Sequence, residues 1–369
     1  MKKKLVLAMS LSVLLFLLVA CSNNTDSGNN EGEIHLVAAG GGSPNHGWGE
    51  GFFTPWMEEV TERTDGRVQF EVFYSGELVE NTHEYDGLTQ GLADIVNVPA
   101  IYDPQRFPMS EVTMLPLTHS DVHIASRAFA KLIESDVELK DGKSFVELEY
   151  GDNGLKALPV STTTEYVIST TGYEFDSVDA VKSATLRTSS RGHEAYAQDI
   201  AAGSVTMPGV DMYDAMNRGA FEGAFYSIAD WSGYGFQDLF KYTITGANYG
   251  HFNSTLGMTQ ETWDSLPEDV QEIMTEVTHE IIEYSANDWE SRKQEMIDYS
   301  LENGGVFVDI GELDEEVQSH LLVGMEQVWY DFIELMEERD LPGKELAILW
   351  RDLVIEEGGD VPEDIKELE

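Results

Sequence analysis

Hydrophobic positions along the chain alternate between two periods. Ile34-His35-Leu36-Val37-Ala38-Ala39 reads as a buried first strand. Beyond a loop, Phe52, Phe53, Trp56, Met57 and Val60 form a helical stripe, and past the turn Thr64-Asp65-Gly66-Arg67 the stretch Val68 to Phe73 alternates as a strand. The pattern then predicts a helix over Asn81 to Ala93 and a short strand at Ile95-Val96-Asn97-Val98. This rhythm is the α/β signature of an open sheet. Lys156 to Thr170 reads as a strand crossing toward a second α/β unit. There, strands at Ala184–Thr188 and Val205–Met207 are each followed by a helix, over Glu194–Ala202 and Tyr213–Arg218. Phe252 to Thr259 is expected to return as a strand between the two units.

The clearest single element follows. Val270, Ile273, Met274, Val277, Ile281, Tyr284, Trp289, Met296, Ile297 and Leu301 recur at helical spacing. Ser265-Leu266-Pro267-Glu268 fits a capping box at the start, and Gly304-Gly305 stops the run. That predicts about 38 residues, or roughly 57 Å at 1.5 Å per residue. Two readings stand: one helix running along both units as a spine, or two helices broken near Ser285–Asn287. Further helices are expected at about 313–338 and 343–357.

Composition narrows the class. The 369 residues are 42% hydrophobic and 10% aromatic, enough for packed cores, which argues against disorder. With 22 Lys+Arg against 68 Asp+Glu the net charge is −46, which repels a phosphate backbone and excludes a nucleic-acid partner. A polybasic hold on a membrane surface is excluded on the same ground. So acidic an exterior suits a salty or alkaline medium.

The amino terminus predicts export. Lys2, Lys3 and Lys4 precede an apolar run, Leu5 to Ala20, that is short of the roughly 20 residues a membrane span needs. It ends in Leu18-Val19-Ala20-Cys21, which resembles a bacterial lipobox. Residues 1–20 are therefore expected to be a signal peptide and 21–33 a polar tether. Cys21 would carry lipid and hold the protein at the outer face of the cell membrane. Cys21 is the only cysteine, so no internal disulfide and no thiolate metal site is available. His119 and His123 have i, i+4 spacing but no HExxH pattern, and neither a phosphate loop nor a Gly-x-Ser-x-Gly elbow occurs. No metal or cofactor is expected.

A string of motifs carries a resemblance. In order these are Val60-x-x-x-Thr64-x-Gly66-Arg67-Val68 with Tyr74-Ser75-Gly76-x-Leu78; Gly91-x-x-Asp94; Arg106-Phe107-Pro108 with Leu115-Pro116-Leu117; Ser177-Val178-x-x-Val181-Lys182-x-x-x-Leu186-Arg187; Met207-Pro208-x-x-x-Met212-Tyr213-x-Ala215-Met216-x-x-Gly219-x-x-Glu222-Gly223; and Trp263-Asp264-x-Leu266-Pro267-Glu268-x-x-Gln271. Together they resemble the solute-binding proteins of tripartite ATP-independent periplasmic (TRAP) transporters. The resemblance implies a two-lobed α/β clamshell of the periplasmic-binding-protein kind, with a long spine helix crossing both lobes. Lobe I would comprise 34–160 plus about 246–265, lobe II 161–245 plus the C-terminal helices, and the spine 266–303. It implies a binding protein rather than an enzyme, one that delivers a small organic carboxylate to TRAP membrane subunits. The competing readings are an ABC-type solute-binding lipoprotein and an extracellular hydrolase; a helix interrupted between 267 and 303 would favour the ABC type.

In this family the arginine ending the Leu186-Arg187 strand pairs with the ligand carboxylate, so Arg187 is the expected anchor. A planar guanidinium makes two parallel charge-assisted hydrogen bonds to one carboxylate. Arg106, Arg191 and Arg218 are weaker candidates. The chain departs from the family where many members that bind sialic acid or dicarboxylates carry a further arginine: here the stretch is Ser161-Thr162-Thr163-Thr164-Glu165. A "DGxEN"-like segment is replaced by Glu222-Gly223-Ala224-Phe225-Tyr226. A monocarboxylate with an apolar or aromatic body is therefore expected. Phe225, Tyr226, Trp231 and Trp48 are candidates for its walls, and His46 or Asn45 for a contact from the first lobe.

Overall fold

Two sheets, joined by the chain at several crossings, make up the architecture from about His35 onward. The computed structural model describes residues 32–40 and 42–369; the expected signal peptide, Cys21 and most of the tether lie outside the described residues. Strand β1 (Ile34–Ala39) leads through helix α1 (Thr54–Arg63) to β2 (Val68–Phe73), β3 (Ile95–Val98), helix α2 (Val122–Glu134) and β4 (Leu155–Pro159). The chain then crosses to β5 (Tyr166–Thr170), β6 (Thr185–Thr188), helix α3 (Arg191–Asp199), β7 (Gly203–Thr206), β8 (Gly223–Ser227) and β9 (Tyr242–Thr245). Strand β10 (Thr255–Thr259) returns to the first sheet, ordered β2-β1-β3-β10-β4, and β11 (Val306–Asp309) completes the second, β11-β9-β5-β8-β6-β7. In each sheet the strand at a crossing, β10 or β5, runs antiparallel to both of its neighbours, whereas β1–β3 and β8-β6-β7 are parallel. The fold is a two-lobed α/β clamshell.

The stretch read as one strand over Lys156–Thr170 is two strands in different sheets. The reason lies in Ser161 to Thr164, all buried. Their hydroxyls bond outward instead of continuing a ladder: Ser161 Oγ to Ser285 Oγ (2.6 Å), Thr162 Oγ1 to Ser126 Oγ (3.2 Å) and Thr164 Oγ1 to Ser227 Oγ (2.7 Å). This crossing pairs with the return crossing through Thr163 N to Phe252 O (3.0 Å) and Tyr166 N to Gly250 O (2.9 Å). The helix expected over Asn81–Ala93 shrinks to Glu84–Thr89, because Thr82 (φ 73°) and Gly91 (φ 70°) hold left-handed turns on either side of it.

Helix α4 (Glu268–Glu302) is a single unbroken helix of 35 residues, about 52 Å long. Near Ser285–Asn287 it approaches its neighbours closely instead of breaking: Ser285 and Ala286 are buried, whereas Tyr284 and Leu301 of the expected stripe are exposed. Small residues there let the backbone press on the crossing segment. Along the first lobe, Trp56 Nε1 donates to Thr278 Oγ1 (2.9 Å); toward the second, Tyr299 Oη donates to Asp238 (2.7 Å). Ser265 does not cap the helix. Its hydroxyl donates to Thr262 O at the end of a short preceding helix, and Pro267 occupies the cap position. The C-terminal helices divide between the lobes, where the sequence placed them all on the second. Helix α5 (Gly324–Glu338) packs on α3, but α6 (Gly343–Glu356) buries Leu346, Ala347, Trp350 and Val354 against α2 of the first lobe.

Trp289 of α4 fixes the loop after β1. A Cβ on Gly47 would collide with the Trp289 indole. Gly47→Ala is expected to destabilise the protein by about 1–3 kcal/mol through overpacking, read as a lowered urea midpoint with unchanged slope.

Candidate functional site

The C-terminal ends of the parallel strands β1, β3 and β8 converge on the seam between the lobes, the usual place for a ligand in open α/β sheets. A cavity partly open to solvent lies there. The first lobe lines it with Gly42, His46 and Trp48 after β1, Asn81 and Glu84 beside the short helix, Asn97, Pro99 and Tyr102 around β3, and Phe252 before β10. Thr163 contributes from the crossing, and the second lobe adds Tyr166, Tyr226, Asp230 and Tyr234. The walls are largely aromatic: the Tyr166 ring lies 5.5 Å from Tyr226 and 6.2 Å from Phe252. Burial pushes the Tyr166, Tyr226 and Tyr234 hydroxyls well above the usual phenol range, so they remain neutral donors.

Arg187, on β6, lies behind this wall with 0% exposure. Its Nε and Nη2 donate to Met207 O (2.8 and 2.5 Å), and Nη1 donates to Phe225 O (3.3 Å). Nη2 reaches the Tyr102 hydroxyl at 3.5 Å, and the guanidinium carbon lies 5.4 Å from the centre of the Tyr226 ring. Among the described residues no carboxylate pairs with it. The other candidate cations are differently placed. Arg106 pairs with Asp103 and lies over the Tyr85 ring, Arg191 pairs with buried Glu111, and Arg218 is exposed.

The remaining candidates separate cleanly. Tyr226, His46 and Trp48 line the cavity. His46 Nε2 sits 3.0 and 3.2 Å from the Asp230 carboxylate oxygens across the seam, and Tyr226 Oη donates to Asp230 Oδ2 (3.1 Å). Only Oδ2 receives directed hydrogen bonds; Oδ1 is left without one. Trp48 Nε1 donates to Ser161 O (2.7 Å), which holds the indole in the wall. Phe225 turns away and stacks on His193, with ring centres 4.7 Å apart, so only its backbone carbonyl meets Arg187. Trp231 packs in the second lobe between Phe240 and Phe307. Asn45 is exposed, its carbonyl accepting from Arg292 Nη1 (3.2 Å). His123 of the spaced pair bonds Glu283 (3.1 Å).

Further hydrogen bonds join the lobes at and beyond the cavity. Besides His46–Asp230, Gly209 N donates to Tyr102 Oη (3.1 Å), and Arg191 N and Nε donate to Glu111 (2.9 and 3.1 Å). Sequence reasoning missed Tyr102, Tyr166, Asp230 and Tyr234. It also missed Glu84, a carboxyl only 4% exposed that burial pushes up to about 8.

Comparison with known proteins agrees with this architecture. Residues 39–334 match the family described as bacterial extracellular solute-binding protein, family 7, the solute-binding proteins of TRAP transporters, and the chain belongs to that family. A solute-binding protein of Albidiferax ferrireducens is 19% identical over 282 residues, covering 74% of this chain and 78% of its own. A TRAP solute-binding protein from Rhodoferax ferrireducens, solved with copurified benzoate, superposes with a TM-score of 0.76 at 18% identity, over 88% of this chain and 98% of that one. A marine metagenome TRAP protein described as specific for aromatic acid ligands, solved with 3-hydroxybenzoate, gives 0.77 at 18% identity over 88% and 99%. The chain is a transport solute-binding protein and not an enzyme.

Proposed function

We propose that this protein captures a small organic monocarboxylate with an aromatic or apolar body between its lobes and delivers it to the membrane subunits of a TRAP transporter. The observation that carries this reading is Arg187: a fully buried guanidinium, without a carboxylate partner among the described residues, directly behind an aromatic-walled interlobe cavity. A buried cation is normally paired, and a ligand carboxylate would complete it. Asp230 on the same walls disfavours a second carboxylate on the ligand. The benzoate and 3-hydroxybenzoate found in related structures support the same class. Closure over the ligand, with the seam links made, would be the state the membrane subunits read.

The test is mass spectrometry of small acids released from natively purified protein, followed by calorimetry. An aromatic or apolar monocarboxylate is the expected finding; a dicarboxylate or a neutral sugar would overturn the reading. We further propose that Cys21 is lipidated and anchors the protein outside the cell membrane. Metabolic labelling with a palmitate analogue should mark the wild type but not Cys21→Ala, which should appear in the medium.

A further inference from the structure

Glu84 and Asn81 stand together on the first-lobe wall of the cavity. Glu84 is 4% exposed, and no side chain among the described residues hydrogen-bonds its carboxyl. Its hydrogen bonds come from the backbone N–H groups of Thr82 and of Glu84 itself. Asn81 Oδ1 is likewise buried with no partner. Native folds pair nearly all such groups, so an unpartnered amide oxygen on a cavity wall, beside a carboxyl that only backbone N–H groups reach, marks a place where a ligand supplies the partner. Asn81 lies in a turn before the short helix, and its amide holds no cap.

The chemistry of the pair selects that partner. The burial that raises the Glu84 carboxyl to about 8 leaves it protonated at neutral pH, able to donate one hydrogen bond and accept another. Asn81 Oδ1 only accepts. The smallest uncharged substituent that donates to one and accepts from the other is a hydroxyl. Arg187 belongs to the opposite lobe, so a ligand held at both ends would span the seam.

We propose that Glu84 and Asn81 form a hydroxyl-reading subsite, so that the preferred ligand is a hydroxylated aromatic monocarboxylate rather than its unsubstituted parent. This rests on the monocarboxylate reading above. The experiment titrates full-length protein, stripped of copurified ligand, with benzoate, the three hydroxybenzoate isomers and 3-(aminomethyl)benzoate at pH 7. At least one hydroxybenzoate should bind about tenfold or more tighter than benzoate, the increment of one well-made hydrogen bond. In Glu84→Leu, and separately in Asn81→Ala, the ratio of the two affinities should fall to near one. Glu84→Gln, which keeps a donor and an acceptor, should restore it, and the Asn81 variant guards against misfolding of the Glu84 one. Benzoate binding with no hydroxyl preference, or a preference that persists in both variants, overturns the subsite and leaves the monocarboxylate reading standing. A preference for the aminomethyl compound, whose ammonium would ionise Glu84, also overturns it. Failure of every one of these acids to bind overturns the monocarboxylate reading and the subsite with it.

Discussion

Arg187→Ala is expected to weaken monocarboxylate binding by about 2–5 kcal/mol, between roughly thirty-fold and several-thousand-fold in affinity. The loss is large because the ligand carboxylate would remain buried without its countercharge, in a cavity that already holds the Asp230 carboxylate. The guanidinium offers five N–H donors. Contacts to Met207 O and Phe225 O use three of them, and the 3.5 Å approach to the Tyr102 hydroxyl is the longest and weakest of its contacts. A carboxylate replacing Tyr102 would therefore meet free N–H groups on both terminal nitrogens without disturbing the backbone bonds that orient the side chain. Those backbone bonds add a second expectation. Removing the guanidinium orphans the Met207 and Phe225 carbonyls, so unliganded Arg187→Ala should also lose about 1–3 kcal/mol of stability. Arg187→Lys, which keeps the charge but not the fork, should fall between wild type and alanine in affinity. Calorimetry with benzoate and urea unfolding without ligand separate the two effects. Wild-type affinity in Arg187→Ala would remove this residue as the anchor.

How far the site was legible depended on the kind of signal each residue carries. The long helix could be read from apolar spacing alone, but its continuity could not, because Ser285 and Ala286 look like a weak point until the crossing segment they press on is known. The run Ser161–Thr164 was read as a missing arginine; its positive role, a row of buried hydroxyls between the lobes, depends on partners as far away as Ser126 and Ser285. Composition alone makes both Phe225 and Tyr226 candidate walls, although adjacent residues on a strand face opposite sides. That rule, applied to β8, would have let only one of them into the cavity. Trp231 begins a helical turn just past the same strand and carried no comparable signal: the second-lobe core against Phe307 claims it. Glu84 was invisible for a different reason. One acid among 68 Asp and Glu has no signature until burial distinguishes it.

That burial predicts a dependence on pH that can be isolated by one substitution. Raising the Glu84 carboxyl from its ordinary 4.5 to about 8 means that the folded protein holds a proton the unfolded chain has released across that interval. Stability is therefore undiminished below about pH 4.5, falls as the pH rises, and carries the full cost above about pH 8. Glu84→Gln has no proton to lose. Its stability relative to wild type should grow between pH 5 and pH 9 by several kcal/mol, on the order of 3–5. Binding should move in the same direction. An anionic ligand sharing the cavity with ionised Glu84 is repelled, so benzoate affinity should decline above about pH 8 in the wild type, by up to about tenfold per unit. The other titratable groups on these walls are His46, Tyr102, Tyr166, Tyr226, Asp230 and Tyr234, with Tyr85 and Asp103 in the adjoining recess. All of them are present in both proteins, so the difference between wild type and Glu84→Gln reports Glu84 alone. Urea unfolding and calorimetry of the pair at pH 5, 7 and 9 measure it. A stability difference that stays constant over this range would mean that Glu84 does not titrate there, and that its neighbours in the folded cavity already hold it ionised.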